Sequence, residues 1–95
     1  MIHKLFNIID DRKRNPNKGS YTNELFESGQ DRITQKFGEE AVELVIAASN
    51  QSTKRVVEES ADLIYHLLVL LAYKDITLTD IEKELETRHL GVKDK

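Results

Sequence analysis

Cysteine is absent from the 95-residue chain. Disulfide bonds, thiolate catalysis and zinc sites of the cysteine type are therefore excluded, and a reducing compartment is compatible with the composition. No apolar run reaches the roughly 18 residues of a membrane span, and the amino terminus lacks the profile of a signal peptide. The net charge of −3 is not the basic surplus expected of a general nucleic-acid-binding protein. We therefore expect a cytoplasmic protein that binds neither membranes nor nucleic acids.

Residues that break helices are also scarce, since the chain has one proline and four glycines. The apolar residues recur at helical rather than alternating spacing, so the chain should be almost entirely helical. We expect a single all-α domain over residues 1–95. The predicted helices run from Ile2 to about Arg14, between Ser20 and Gly29, from an Asp31 N-cap to about Ser49, from Thr53 to Tyr73, and from Leu78 to about His89.

Capping residues mark several of these predicted ends. Ser20 is a suitable N-cap for the short second helix, and Thr77 with Asp80 resembles a capping box that opens the last one. Leu85 is expected to face inward in that last helix. Gly91 would follow its end, and Val92–Lys95 would be a frayed tail.

The two long predicted helices should pair as an antiparallel hairpin, because Asn50–Thr53 is the polar, helix-unfavourable run between them. On the first of the two, the expected core stripe consists of Ile33, Phe37, Ala41, Leu44 and Ala48. Val42 and Ile46 lie on its opposite side and imply a second packing surface. The second long helix is apolar nearly all round over Leu63–Ala72, and a chain this short should not cover it alone. The predicted architecture is a helical bundle with a central antiparallel helix hairpin, completed by homodimerisation.

Each long helix also carries a pair of carboxylates. Residues three apart form one patch on a helix, which groups Glu40 with Glu43 and Glu59 with Asp62. Counted from the turn at ~1.5 Å per residue, the two pairs lie roughly level across the hairpin. Four such charges would repel one another unless a cation neutralised them, and carboxylate oxygens suit Mg²⁺ or Mn²⁺. The spacing predicts a Mg²⁺ site with these four ligands. The open positions of such a site most often bind phosphate oxygens, so the expected substrate is a polyphosphate.

Several neighbours of the acids are further candidates. Glu58 competes with Glu59, but Glu59 shares its helix face with Asp62 and His66. His66 is favoured as a core histidine, or one beside the site, that is hydrogen-bonded to a carboxylate, over a direct catalyst. Lys36, one turn before Glu40, could pair with carboxylates or contact a substrate phosphate.

Two basic positions lie further away along the chain. Arg12 belongs to a cluster near the first turn, and Arg88 lies near the last helix. Such clusters are usually solvated, and contact with a phosphate is the alternative for each.

Two sets of motifs resemble known families. Glu39-Glu40-Ala41-Val42-Glu43 with Glu59-Ser60-Ala61-Asp62 resembles the EExxE…ExxD signature of the all-α nucleoside triphosphate pyrophosphohydrolases, which include MazG proteins and dimeric dUTPases. More specific segments resemble the phosphoribosyl-ATP pyrophosphohydrolase family of histidine biosynthesis, and the likeness runs from about Phe6 to Arg88. Those segments are Ser20-Tyr21-Thr22, Lys36-Phe37-Gly38-Glu39-Glu40-Ala41 and Ala61-Asp62-Leu63-Ile64-Tyr65-His66.

The resemblance implies Mg²⁺-dependent hydrolysis of phosphoribosyl-ATP to phosphoribosyl-AMP and pyrophosphate by a homodimer, the second step of histidine biosynthesis. It implies that the four carboxylates hold the ion, with Glu39 and Lys36 beside it, and that Glu39 or Glu40 orients the attacking water. Members are often fused to the phosphoribosyl-AMP cyclohydrolase of the next step, and this chain resembles the stand-alone form. The candidate substrate contacts are Lys36, Tyr21, Thr22, His66, Arg88 and Arg12.

Two other interpretations of the sequence stay open. One is a house-cleaning pyrophosphohydrolase that acts on free or damaged nucleoside triphosphates, against which the Ser20-Tyr21-Thr22 and Tyr65-His66 motifs argue. The other is a non-catalytic helical dimerisation module whose acids are solvated.

Overall fold

The computed structural model describes residues 1–90, and within them it contains helices and no strands. The all-α prediction is therefore confirmed for this part of the chain. The predictions for Gly91 and for the Val92–Lys95 tail lie outside the described residues. The α-helices are α1 (Ile2–Arg14), α2 (Tyr21–Ser28), α3 (Gln30–Asn50), α4 (Thr53–Tyr73) and α5 (Leu78–Leu85), and a π-helical segment (Glu86–Leu90) follows α5.

Helices α3 and α4 form the predicted hairpin and make the most extensive helix contact of the described residues. Helix α4 begins at Thr53 as predicted and α3 continues to Asn50, one residue beyond the expected end, so only Gln51 and Ser52 separate them. The turn stays tight because the Ser52 hydroxyl accepts a hydrogen bond from the Arg55 backbone N–H and caps α4. A two-residue connection between long helices forces them to run antiparallel.

The hydrophobic core lies where α1, α2 and α3 meet the carboxyl-terminal half of α4. Its buried members are Phe6, Ile9, Leu25, Ile33, Leu68, Val69, Leu71 and Ala72. Leu68 and Val69 are at most 1% exposed. The expectation that a single chain is too short to cover Leu63–Ala72 therefore holds only in part. The other helices bury the side of α4 that carries Leu68 and Val69, whereas Ile64 remains 38% exposed.

Most predicted helix ends are confirmed, and one is wrong. The Ser20 side chain caps α2, and Thr77 with Asp80 forms the capping box of α5. Asp31 is not an N-cap, because α3 begins at Gln30 and Gly29 is its N-cap. Gly29 has a φ of 88°, a conformation that glycine adopts readily and other residues rarely do.

Two predictions of inward-facing residues also fail. In α3 the buried residue near the carboxyl end is Ala47, whereas Ala48 is exposed. Ala47 lies outside the expected stripe, on the side of Ile33, so the buried face of α3 is displaced towards that side. Leu85 was expected inside and is 52% exposed, because the carboxyl-terminal part of α5 packs less closely on the bundle.

The hairpin retains apolar side chains that the described residues do not cover. On α3 these are Val42, Val45 and Ile46, and on α4 they are Val57 and Ile64, with exposures from 38% to 65%. The exposure of Val42 and Ile46 agrees with the predicted second packing surface. Among residues 1–90, no helix has both the length and the apolar character needed to cross a bilayer.

Candidate metal centre

Three carboxylates from the two hairpin helices converge at one place. Glu40 of α3 and Glu59 and Asp62 of α4 each offer an oxygen, and these oxygens lie within 4.8 Å of one another. Glu59 is buried, Glu40 is half-buried and Asp62 is exposed, so the group opens to solvent on one side. The hairpin therefore brings together three of the four carboxylates that the spacing singled out.

The fourth predicted ligand, Glu43, lies one turn after Glu40 on α3. Its side chain is exposed, and it is not part of the three-carboxylate group. Glu40 and Glu43 are separated by about 60° around the helix axis, and Glu40 is the one turned towards α4. The assignment of Glu43 as a ligand stays a prediction.

The choice of Glu59 over Glu58 agrees with the geometry. The Glu59 side chain is 7% exposed and belongs to the three-carboxylate group, whereas the Glu58 side chain is 44% exposed and lies outside it. Adjacent positions on a helix point about 100° apart, which separates a carboxylate facing α3 from one facing solvent.

Two cationic side chains accompany the acids. Lys36 Nζ lies 3.5 Å from Glu39 Oε1 and 3.8 Å from Glu40 Oε1. The Arg55 guanidinium donates to Glu58 and to Glu59. Sequence reasoning overlooked Arg55, although an arginine four residues before a glutamate on a helix is a recognised pairing distance.

The donor set fits a hard divalent cation. The three converging groups offer carboxylate oxygens, which suit Mg²⁺ or Mn²⁺ better than zinc or copper. Glu59 is a buried carboxylate, and burying such a charge is unfavourable unless a cation accompanies it. One open side leaves room for water or substrate oxygens, as Mg²⁺ sites usually require.

Glu39 lies beside this group on the exposed side of α3. Its carboxylate accepts a hydrogen bond of 3.0 Å from Gln35 Nε2. That hydrogen bond, with a smaller contribution from Lys36, holds the pKa of Glu39 below its ordinary value of 4.5. Glu39 is therefore an ionised acceptor at neutral pH.

His66 joins the acidic group to helix α2. Its Nδ1 lies 2.7 Å from the Asp62 carbonyl oxygen, which can only accept, so Nδ1 carries the proton. His66 Nε2 lies 2.9 Å from the Tyr21 hydroxyl, which can donate to it. Burial raises the pKa of Tyr21, which keeps this hydroxyl protonated as a donor. The expected role beside the site is supported, although the partner on α4 is a backbone carbonyl rather than a carboxylate.

A second contact ties α2 to α4 next to the first. The hydroxyls of Thr22 and Tyr65 are hydrogen-bonded to each other. The Tyr21 and Tyr65 rings are stacked, with centroids 6.2 Å apart, and Tyr65 meets His66 edge to face at 5.2 Å. These contacts fix the start of α2 against the turn of α4 that carries Asp62.

The two distant arginines have local partners. Arg12 Nη1 lies 3.6 Å from Asp11 Oδ2, and Arg88 Nε donates to Glu84 at 2.7 Å. Asn23, which sequence reasoning did not single out, is buried and donates to the Arg12 carbonyl at 2.8 Å. Phosphate contact by Arg12 or Arg88 stays a prediction.

Comparison with known proteins gives matches over nearly the whole chain. The sequence model of a family described as phosphoribosyl-ATP pyrophosphohydrolase matches residues 2–89. A phosphoribosyl-ATP pyrophosphatase of Clostridium acetobutylicum is 50% identical over 95 residues, 100% of this chain and 86% of that protein. One of Clostridium botulinum strain Hall is 53% identical over 88 residues, 93% of this chain and 80% of that protein.

A relative of a different size matches equally well. The histidine biosynthesis bifunctional protein HisIE of Caldanaerobacter subterraneus subsp. tengcongensis is 56% identical over 89 residues. These residues are 94% of this chain and 43% of that protein. The likeness therefore covers about half of a two-function protein and most of the shorter ones.

Proposed function

The chain belongs to the phosphoribosyl-ATP pyrophosphohydrolase family and is an enzyme of histidine biosynthesis, and we propose that it works with Mg²⁺ held between α3 and α4. Its reaction converts phosphoribosyl-ATP and water into phosphoribosyl-AMP and pyrophosphate. The observation that carries the metal proposal is the convergence of Glu40, Glu59 and Asp62 within 4.8 Å. Glu43 is the proposed fourth ligand, on the adjacent turn of α3, and Mn²⁺ could replace Mg²⁺ because both accept carboxylate oxygens.

When bound, Mg²⁺ would neutralise the charge of the triphosphate and of the leaving pyrophosphate. The chain's own residues would position the reacting groups. The water that attacks the phosphorus next to the leaving pyrophosphate needs a carboxylate to accept its proton. Glu40 belongs to the ligand set, whereas Glu39 stands beside it, which favours Glu39 for this task. The Gln35 hydrogen bond, which lowers the pKa of Glu39, keeps its carboxylate ionised, so it can accept a hydrogen bond from the water and orient it.

Lys36 is proposed to contact a substrate phosphate. Its ammonium lies against Glu39 and Glu40 and its side chain is 21% exposed, so it combines a fixed position with access to solvent. An arriving phosphate would supply a stronger partner for the ammonium than Glu40 at 3.8 Å.

The remaining proposed substrate contacts lie outside the acidic group. Tyr21, Thr22 and His66 form the polar seam between α2 and α4, next to Asp62. Because their hydrogen bonds are already satisfied within the chain, their first contribution is to hold α2 against the site. Arg12 and Arg88 are proposed as contacts for more distant phosphates, which suit guanidinium groups.

We also propose that the enzyme is a homodimer that pairs its α3–α4 hairpins. The support is the apolar side chains that remain uncovered on both helices, among them Val45 at 65% and Val57 at 62% exposure. Uncovered apolar groups on adjacent helices are typical of an interface. Analytical ultracentrifugation of the wild type and of Val45→Lys tests this: a dimer is expected for the first and a monomer for the second. A wild-type monomer at micromolar concentration would contradict the proposal.

A link to phosphoribosyl-AMP cyclohydrolase is proposed as well, because the bifunctional histidine biosynthesis relative contains a segment 56% identical to this chain. A cytoplasmic location is the proposed setting, in keeping with a sequence free of cysteine.

The decisive test of the function measures pyrophosphate release from phosphoribosyl-ATP with Mg²⁺, with dUTP and ATP in parallel. We expect rapid release from phosphoribosyl-ATP, loss of activity when a chelator removes the cation, and recovery when Mg²⁺ or Mn²⁺ is restored. Faster release from dUTP or ATP would favour the house-cleaning alternative. No release from any of the three would favour a non-catalytic module.

A further inference from the structure

Arg55 connects a proposed metal ligand with a carboxylate outside the metal group. One guanidinium nitrogen donates to Glu58 Oε1 and another to Glu59 Oε1. The Glu59 side chain is 7% exposed, whereas those of Glu58 and Arg55 are 44% and 45% exposed. A half-exposed cation therefore covers a buried carboxylate and has a second, solvent-facing partner on the same helix.

The helix dipole does not explain the placement of Arg55. Arg55 lies in the first turn of α4, which contains no acidic residue, and the positive end of the helix dipole disfavours a cation there. The pair also has the arginine before Glu59, the less favourable order for residues four apart. The Ser52 hydroxyl nevertheless accepts from the Arg55 backbone N–H, which fixes the backbone from which the Arg55 side chain reaches the two glutamates.

The electrostatics of Glu59 supply a reason for the arginine. A buried carboxylate without a counter-ion is strongly destabilising, and Lys36 is directed at Glu39 and Glu40 rather than at Glu59. Hydrogen bonds to Glu58 and Glu59 raise the pKa of Arg55, so the guanidinium stays charged. A fixed positive charge at this distance repels a divalent cation that approaches the same carboxylate.

We propose that Arg55 is the counter-ion of Glu59 in the metal-free enzyme and competes with the divalent cation for that carboxylate. When the cation binds, the guanidinium leaves Glu59 and keeps its contact with Glu58. The site is thereby stable without metal, and its metal affinity is lower than the carboxylates alone would give. This inference rests on the metal site of the proposed function.

Calorimetric titration with MgCl₂ tests the inference without any substrate. We expect Arg55→Gln to bind Mg²⁺ roughly tenfold more tightly than the wild type, the equivalent of one charge-assisted hydrogen bond released. Lys54→Gln is the matched control, because it removes the same charge from an exposed position next door and should shift the affinity far less. Equal shifts in both variants would overturn the inference in favour of a general charge effect. Weaker binding by Arg55→Gln would also overturn it, because Arg55 would then be orienting Glu59 for the ion.

Thermal unfolding provides a second readout. Without metal, Arg55→Gln should melt at a lower temperature than the wild type, and saturating Mg²⁺ should close most of that gap. A gap unchanged by Mg²⁺ would mean that Arg55 acts only on the fold, and would overturn the inference. Absence of Mg²⁺ binding by the wild type and by every variant is a distinguishable result, because it would overturn the metal site itself.

Glu58→Gln keeps the inference testable should Arg55→Gln fail to fold. Without its second partner the guanidinium is confined to Glu59, so Mg²⁺ binding should weaken. Unchanged Mg²⁺ affinity in Glu58→Gln alone would contradict the proposal. Where Arg55→Gln folds, the same substitution in that background should have a much smaller effect, because the competitor is gone. Equal effects of Glu58→Gln in the two backgrounds would show that Glu58 does not act through Arg55 and would contradict the proposal.

Discussion

The two ends of α4 carry cations in opposite relations to the helix dipole. At the carboxyl end, Lys13 Nζ donates to the carbonyl oxygens of Ala72 and Tyr73 in the last turn of the helix. A cation there is favoured by the negative end of the dipole. At the amino end, Arg55 occupies the position that the dipole disfavours, and it contacts Glu59 instead. Charge therefore supports the fold at one end of this helix and serves the candidate metal site at the other.

Side-chain burial also differs between the two ends of α4. Leu68 and Val69 are buried in the core, whereas Asp62 is exposed and Glu59, among the residues that the structure describes, is paired with the Arg55 cation. Activity and stability should therefore respond to substitutions at different ends of one helix. His66, bonded to the Asp62 carbonyl and to Tyr21, lies at the boundary between the two regions.

The largest effect is expected for Glu59→Gln. Loss of a ligand that supports several kcal/mol of charge stabilisation should reduce kcat/KM on the order of a thousandfold. The amide oxygen can still accept from Arg55, so the free energy of unfolding without Mg²⁺ should change by about 1 kcal/mol or less. Steady-state kinetics and chemical denaturation measure the two quantities. A large loss of stability with normal turnover would mean that Glu59 supports the fold and not the reaction.

Glu43→Gln, measured in the same kinetic assay, tests whether Glu43 is also a ligand of the ion. Glu43 lies outside the three-carboxylate group, so its loss of activity should be smaller than that of Glu59→Gln. A loss of equal size would make Glu43 a full ligand of the ion, and unchanged activity would remove it from the set.

The next largest effect is expected for Leu68→Ala at the buried end. Leu68 is 1% exposed, and truncation of such a leucine destabilises a protein by about 2–5 kcal/mol because a cavity remains. Chemical denaturation should show this loss, while Mg²⁺ affinity measured on the folded variant should stay close to that of the wild type. A weakened Mg²⁺ affinity would show that the packed end also shapes the metal site.

How much the sequence could predict differs between the two regions. The Ser20 cap, the Thr77–Asp80 box and the hairpin follow from local side-chain chemistry, which short segments contain in full. The covering of Leu68 and Val69 does not, because periodicity identifies an apolar face and leaves open which element packs on it. In the site, spacing brought Glu40, Glu59 and Asp62 together correctly. Arg55 and the outward position of Glu43 depend on side-chain directions that residue spacing leaves undetermined.

A moderate effect is expected for Lys13→Met at the carboxyl end of α4. The substitution keeps an apolar stem of similar length and removes the hydrogen bonds to two carbonyl oxygens, which should cost about 1 kcal/mol of stability. Thermal unfolding measures the loss, and pyrophosphate release by the folded variant should be unchanged. Loss of activity without loss of stability would contradict the assignment of Lys13 to the fold, because Lys13 would then act on the candidate site.

The smallest effect is expected for Asp75→Asn, and its sign depends on pH. Asp75 accepts from Lys13 at 2.6 Å, and this contact lowers the pKa of the Asp75 carboxyl from its ordinary 3.8. A carboxyl whose pKa is lower in the folded state contributes stability above pH 3.8, and that contribution is lost as the pH falls through the folded value. Asparagine tolerates the positive φ of 59° at this position, so the substitution tests the charge rather than the backbone. The melting temperature of Asp75→Asn should therefore lie slightly below that of the wild type at neutral pH, and the two should converge in acid. A difference that persists in acid would mean that Asp75 holds Lys13 at the end of α4 by geometry and not by charge.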